Sequence, residues 1–322
     1  MFSPEIAVII NSFNRFSLLQ KCLTSLIENL NAGFKEKFVI VVFEAGSKDG
    51  SYEYIENIKN NQFPHIDILT PGTNGDSFSA GINDASFFAI KKYSASLRYL
   101  FAYETDNFLQ GHKAFKNACD LLQAKPDIGA CGFSVKKHDG RSASPGCPFP
   151  STTSFVIGQQ LTAYLKLNET KPVWIKQGDF EYAYLDVVYT SPLLMKRSAF
   201  EKVGGMDTKD FPFSDSDVDL AEKFLLNGYK SAIIKTDEVI HDNLSQASSW
   251  SQTRTLNFHN ARYKIIKRYN HTSDLVLKPS LFLRHFAELL LIAIVGVASS
   301  NYTNKIKKRW ELMRLSLSAY KK

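Results

Sequence analysis

Ile6-Ala7-Val8-Ile9-Ile10-Asn11-Ser12-Phe13-Asn14-Arg15 is an apolar, β-branched run that ends in polar side chains. A helical pattern follows at once, with Leu18, Leu19, Cys22, Leu23, Leu26 and Ile27 on one face. The same unit then repeats in kind. Phe38–Phe43 runs into Glu44-Ala45-Gly46-Ser47-Lys48-Asp49-Gly50 and a helix over Tyr52–Ile58. Ile66–Leu69 runs into Pro71-Gly72-Thr73-Asn74-Gly75 and a helix from about Ser77 to Lys92, and Leu97–Tyr103 ends in Glu104-Thr105-Asp106-Asn107. Near-continuous apolar strands alternating with helices predict an α/β fold, a mostly parallel sheet covered on both faces. The polar, Gly- and acid-rich segments all fall at the C-terminal ends of the strands, the edge where open α/β sheets bind ligands.

Beyond Asp106 the pattern loosens. A helix is expected over His112–Gln123, a strand over Ile128–Val135, a loop over Lys136–Pro150, and little periodicity up to Tyr184. Val187–Met195 reads as a strand and Ser198–Val203 as a short helix ending at Gly204-Gly205. Asp215-Ser216-Asp217-Val218-Asp219 opens an amphipathic helix that stops at Gly228, and Ala232–Ile234 and Val239–Ile240 read as closing strands, the second delivering His241. From about Trp250 the chain reads as helical. These features divide it into an α/β body over 1–255, with a nucleotide-binding half (1–110) and an acceptor-binding half (111–255), and a helical extension over 256–322.

The chain has 322 residues, 44% hydrophobic and 22% charged, which excludes a disordered or collagen-like protein. Cys22, Cys119, Cys131 and Cys147 form no CxxC pair, so neither a zinc site nor a disulfide framework is indicated. The net charge of +7 is unevenly placed: residues 1–260 carry 26 basic and 29 acidic side chains, and residues 261–322 carry 13 basic and 3 acidic, a net +10. A nucleic-acid-binding face on the α/β body is therefore not expected. Leu289–Ala298 is the one continuous apolar stretch of the tail, ten residues where a span needs about 20. No transmembrane helix is expected, and no signal peptide is read at the N-terminus. Apolar helix and cationic rim together suit an anionic membrane surface bound through 279–322, and helices packed on the body or in a homodimer suit the same pattern.

Three local constellations carry chemistry. Glu104 and Asp106, at i and i+2 after a buried strand, project from one side of an extended backbone and offer hard oxygen ligands to Mn²⁺ or Mg²⁺ bearing a diphosphate. Taken alone, such a pair is more often an ordinary acidic turn. The Asp215–Asp219 cluster offers a general base, although acids also favour helix N-termini for their dipole. His241 follows a strand, where a histidine is more often structural. Asn74-Gly75 and Gly81-Ile82-Asn83 match neither a dinucleotide-binding nor a P-loop fingerprint, which argues against a dehydrogenase or an ordinary NTPase.

In order along the chain these segments resemble the family 2 glycosyltransferases of GT-A fold, particularly bacterial rhamnosyltransferase-like members, from about residue 5 to 270. Asn11 to Arg15 resembles the family's "TYNR" turn, and Val41 to Ser51 its "VVDDGSTDGS". Asn74-Gly75 through Asn83 is similar to its "N-G…G-N" segment, and Glu104-Thr105-Asp106 stands at its DxD motif. Gly204-Gly205-Met206-Asp207, Ser216 to Leu220 and Asn227-Gly228-Tyr229 resemble "GGFDE…EDVDLxxR…GY", and His241 matches a late histidine. There are departures: Ala45 replaces an acid that contacts the nucleotide base, Glu104 replaces the first Asp of DxD, and Ser216 replaces the Glu before the base.

The resemblance implies a cytoplasmic enzyme, peripheral on the inner face of the membrane, acting in polysaccharide biosynthesis. It would be an inverting hexosyl- or rhamnosyltransferase, moving sugar from a nucleotide-diphosphate sugar to a glycan or lipid-linked saccharide acceptor. Asp106, Glu104 and His241 would hold the metal and Asp217 would be the catalytic base. Ser12, Asn14, Arg15, Glu44, Asn74, Gly75, Asn83, Glu104 and Thr105 would line the donor site, and Trp174, Asp215 and Asp219 the acceptor site. A degenerate sugar- or lipid-binding scaffold and a metal-dependent nucleotidyltransferase are the rival readings.

Overall fold

The computed structural model describes residues 2–34, 37–71, 77–137, 139–167, 171–241, 252–295 and 302–317. In chain order the elements are β1 (Ile6–Ser12), α1 (Phe16–Phe34), β2 (Phe38–Glu44), α2 (Ser51–Asn61), β3 (Ile66–Leu69), α3 (Phe78–Lys92), β4 (Tyr99–Ala102), β5 (Asn107–Leu109) and α4 (Lys113–Ala124). Then come β6 (Ile128–Phe133), β7 (Val135–Lys137), β8 (Ser142–Ala143), β9 (Gly146–Cys147), α5 (Thr152–Ile157), α6 (Gln159–Tyr164), β10 (Ile175–Gln177), β11 (Phe180–Leu185), β12 (Val187–Val188) and β13 (Leu193–Lys196). The chain ends with α7 (Arg197–Lys202), α8 (Ser216–Leu226), β14 (Lys230–Ile234), β15 (Val239–His241), α9 (Gln252–Tyr269), α10 (Asp274–Val295) and α11 (Tyr302–Leu317).

A nine-stranded sheet in the order β10-β11-β14-β6-β13-β4-β1-β2-β3 forms the body. β1 pairs in parallel with β2 and β4, and β2 with β3, while β13 enters antiparallel between β4 and β6. The sheet is thus mixed and mostly parallel. Alternation along the strands explains both of its faces. Ile6, Val8 and Ile10 join Leu19, Leu23 and Leu26 of α1 in one core, and Ala7 and Ile9 join Ile82, Ala85 and Phe224 in the other. No residue of β1 from Ile6 to Ile10 is more than 2% exposed, so the strand must be apolar on both sides. α3 lies unusually close to this strand. A Cβ on Gly81 would stand 2.6 Å from Asn11 Nδ2 and 2.9 Å from Phe43, so glycine permits the approach.

Two details depart from the sequence expectations. Val187–Met195 is not one strand: it splits into β12 and β13 around Pro192, which has no N–H to give a ladder. Within the stretch expected to lack periodicity, Phe180–Leu185 forms β11, an interior strand of the sheet.

A small second sheet, β5-β15-β7-β8, matters most for function. β15 runs antiparallel to β5 with His241 opposite Asn107, so residues 134 positions apart become neighbours at the end of β4.

The chain separates into two compact units, one of Met1–Pro148 with Thr170–Ala247 and one of Phe149–Glu169 with Ser248–Lys322. The second unit is helical and includes α5 and α6, which the sequence reading left in the α/β body. Phe155, Tyr263, Ile266, Leu277 and Leu281 form its core. Buried beside them, His259 and His285 stand edge to face at 4.9 Å, and burial holds the His259 imidazole well below its ordinary pKa. Among the described residues no helix is long and apolar enough to cross a membrane.

Candidate active site

The candidate site lies at the C-terminal ends of β1, β2 and β4. Two turns there are stitched together by side chains. Asn14, in left-handed conformation at φ 49°, donates its backbone N–H to Ser47 Oγ at 2.9 Å and accepts Lys48 N–H on Oδ1 at 2.9 Å. Asp49 accepts the Phe16 amide at 2.8 Å. Glu44 is buried and spends both carboxylate oxygens on its own turn, accepting from Gly46 N at 3.0 Å and Ser47 N at 2.9 Å. These groups fix the floor of the site. Ser12 Oγ, fully buried at the end of β1, has no hydrogen-bond partner among the described residues.

Past β4 the chain turns sharply, and Thr105 and Asp106 are both only 2% exposed. Asp106 Oδ2 lies 3.5 Å from the Arg15 guanidinium, and Asp106 Oδ1 lies 3.5 Å from His241 Nδ1 without a hydrogen bond of its own. A buried carboxylate oxygen left in this state is costly unless something else fills its coordination. Glu104 is adjacent. Burial first, and then the charge of Asp106, pushes its carboxyl up to about 8, with Arg15 opposing and Asp217 adding to the rise.

His241 is oriented by a residue that the sequence reading overlooked. Asn107, fully buried, donates through Nδ2 to Ser191 Oγ at 2.7 Å and to the Glu104 carbonyl at 3.3 Å. Its Oδ1 must then be the atom 3.1 Å from His241 Nδ1. An amide oxygen only accepts, so Nδ1 carries a proton, and Nε2 is the ring nitrogen that can offer a lone pair. Asn107 adjoins the acidic pair, but its partners His241 and Ser191 are remote in sequence, and no local pattern would have marked either contact.

Among the described residues no three His, Cys, Asp or Glu side chains form a ready cage for an ion. The donor set nevertheless fits a divalent cation that arrives with most of its oxygen shell supplied by a diphosphate. Asp106 offers an uncommitted buried oxygen, His241 a lone pair, and Glu104 a second carboxylate once it loses its proton.

α8 begins at Asp215, whose left-handed backbone (φ 56°) caps the helix while its carbonyl accepts Asp219 N–H at 2.9 Å. Asp217 is only partly buried, and its Oδ1 accepts Val218 N–H at 2.9 Å. Asp219 is fully buried on the inner side of α8. Its charge, after burial and Asp186, helps push Glu222 up to about 7.

Several residues expected here stand elsewhere or are engaged. Asn83 gives its whole amide to the Met206 backbone, donating to the carbonyl at 2.9 Å and accepting the N–H at 2.8 Å. Gly205 (φ 73°) passes so close that a Cβ would stand 2.6 Å from Asn83 Oδ1. Asn83 thus holds the Gly204-Gly205-Met206 turn, with one bond made by each of its amide atoms. Trp174 packs against the second core under Lys235, next to edge strand β10. That is five strand positions from β4, roughly 24 Å across the sheet at the usual strand spacing, so Trp174 does not join the Asp106 cluster. Asn74 and Gly75 lie outside the described residues.

Residues 7–139 match the family model Glycosyl transferase family 2. The matched segment contains Ser12, Asn14, Arg15, Glu44, Asn83 and the Glu104–Asp106 motif, and it stops short of Asp217 and His241. Many solved structures share the fold, two of them as follows. One is a mannosyltransferase, PcManGT from Pyrobaculum calidifontis, in complex with GDP-Man and Mn²⁺; at 16% identity and TM-score 0.56 the alignment covers 98% of this chain and 87% of that one. The other is GalNAc-T7 with UDP, GalNAc and Mn²⁺, at 11% identity and TM-score 0.57, covering 98% of this chain and 56% of that one. At these identities the likeness is one of fold, the mixed sheet flanked by helices. No curated protein sequence matches the chain.

Proposed function

We propose that the chain is a metal-dependent, inverting glycosyltransferase that moves a sugar from a nucleotide-diphosphate sugar to an acceptor hydroxyl. The observation that carries this reading is the buried, uncommitted Asp106 Oδ1 facing His241 at the C-terminal edge of the sheet. The family match over residues 7–139 and the fold shared with nucleotide- and Mn²⁺-bound glycosyltransferases support it.

Asp106, Glu104 and His241 would hold the divalent cation. When bound, that ion offsets the charge growing on the departing diphosphate. Asn14 and Glu44 brace the two turns that form the floor beneath the donor, and Arg15 adds a positive charge beside Asp106. Asp217 takes the proton as the acceptor oxygen forms its bond to the anomeric carbon and the bond from that carbon to the phosphate oxygen breaks. The proton ends on the Asp217 carboxylate, and the electron pair leaves with the diphosphate. An attack opposite the leaving group inverts the anomeric centre. The acceptor belongs to a growing glycan in this reading, and the donor sugar is a hexose or deoxyhexose.

Calorimetry with UDP, GDP and dTDP tests the donor half of the proposal. At least one nucleotide should bind only when Mn²⁺ or Mg²⁺ is present, and Asp106→Asn should abolish that binding. Metal-independent binding, or none of any nucleotide, would contradict it.

A further inference from the structure

α10 is apolar on two sides, and only one of them is used. Leu277, Leu281 and His285 are fully buried against the core of the helical unit. On the other side Leu283, Phe286, Leu290 and Ile294 recur at helical spacing and are 65%, 43%, 47% and 76% exposed. Between the buried side of α10 and its flank at Leu291 a cavity of about 410 Å³ opens, walled by Leu291, Ile292 and Leu312, by Glu288 and by the cations Lys305, Lys308 and Arg309. Residues 261–322 carry 13 basic and 3 acidic side chains. Two of those acids are spent internally: Asp274 pairs with Lys267 at 2.7 Å, and Glu288 with Arg309 at 2.7 Å.

We propose that this face docks on an anionic phospholipid bilayer, with the α10 stripe entering the acyl boundary and phosphate headgroups meeting Lys305 and Lys308. Charge chooses the occupant. A second copy seated on the same face would bring two units of net +10 together, whereas acidic lipid relieves that repulsion. Depth is set by the helix itself, which is too short in continuous apolar sequence to span and so lies in the interface. This docking is independent of the transfer chemistry proposed above and is read without any substrate.

The test is vesicle co-sedimentation of the full chain, with its mass in solution measured separately. Vesicles with about 30 mol% phosphatidylglycerol should bind it at least tenfold better than pure phosphatidylcholine, and about 1 M salt should release it. Leu283→Ser/Leu290→Ser/Ile294→Ser, all at exposed positions, should abolish binding, and each of Lys305→Gln and Lys308→Gln should weaken it about fivefold. Equal binding to neutral vesicles, binding to neither, or binding that survives salt in the unaltered chain would overturn the proposal. A dimer dispersed by the triple substitution, with no vesicle binding, would instead assign the face to a second copy.

Discussion

Asn107 Oδ1 lies 3.1 Å from His241 Nδ1, and this contact joins the start of β5 to the end of β15 across 134 residues of sequence. Because the Asn107 amide nitrogen is held by Ser191 and the Glu104 carbonyl, the bond sets which imidazole nitrogen carries the proton. Asn107→Ala should therefore weaken Mn²⁺ binding about 10- to 100-fold, the usual range for removing a group that orients a metal-binding histidine. Calorimetric titration of the metal checks this. Unchanged affinity would remove His241 from the metal site.

Asp217→Asn separates chemistry from folding. The half-buried side chain accepts the Val218 N–H on Oδ1, and an amide oxygen can accept it equally. Turnover should fall about 100-fold or more with the melting temperature nearly unchanged. Near-normal turnover would mean that another group takes the acceptor proton.

Glu104 makes the metal-free protein sensitive to pH. Burial, reinforced by Asp106, raises its carboxyl from 4.5 to about 8 in the folded state. The native state thus holds a proton that the unfolded chain has released, and the stability linked to it is complete below about 4.5 and lost as pH climbs to about 8. Melting in a chelator should show this decline, and Glu104→Gln should flatten it. A pH-independent melting temperature in the unaltered protein would contradict the assignment.

Asn83 is expected to act on stability and not on donor affinity. Asn83→Ala leaves the Met206 backbone groups without partners and should cost about 1–3 kcal/mol in denaturant unfolding. The KM for donor should stay within about twofold. A raised KM at unchanged stability would return Asn83 to the donor site.

The readable parts of this protein were the local ones. Ile6–Ile10 and Phe38–Phe43 send alternate residues into two separate cores, and a strand buried on both faces has to be a continuous apolar run. Glu104 and Asp106 were visible as two acids just past a buried strand, but the chain turns at Thr105–Asp106, closed by Asn107 N–H on the Glu104 carbonyl, and does not run extended as their spacing implied. Val187–Met195 misled because apolar content hid the break that Pro192 imposes. Trp174 shows how little residue type decides alone: an aromatic ring suits a sugar and a core equally, and this one packs partly against the second core beside β10. Engagement of Asn83 by Met206, and of His241 by Asn107, depends on long-range register that no local spacing encodes.

Proton NMR of the reaction with a panel of nucleotide-diphosphate sugars and Mn²⁺ tests the central claim most directly. One donor should be consumed with release of its nucleoside diphosphate. The transferred or hydrolysed sugar should first appear with inverted anomeric configuration, and Asp106→Asn and Asp217→Asn should both abolish the signal. Retained configuration, or no turnover of any donor with metal present, would contradict the account.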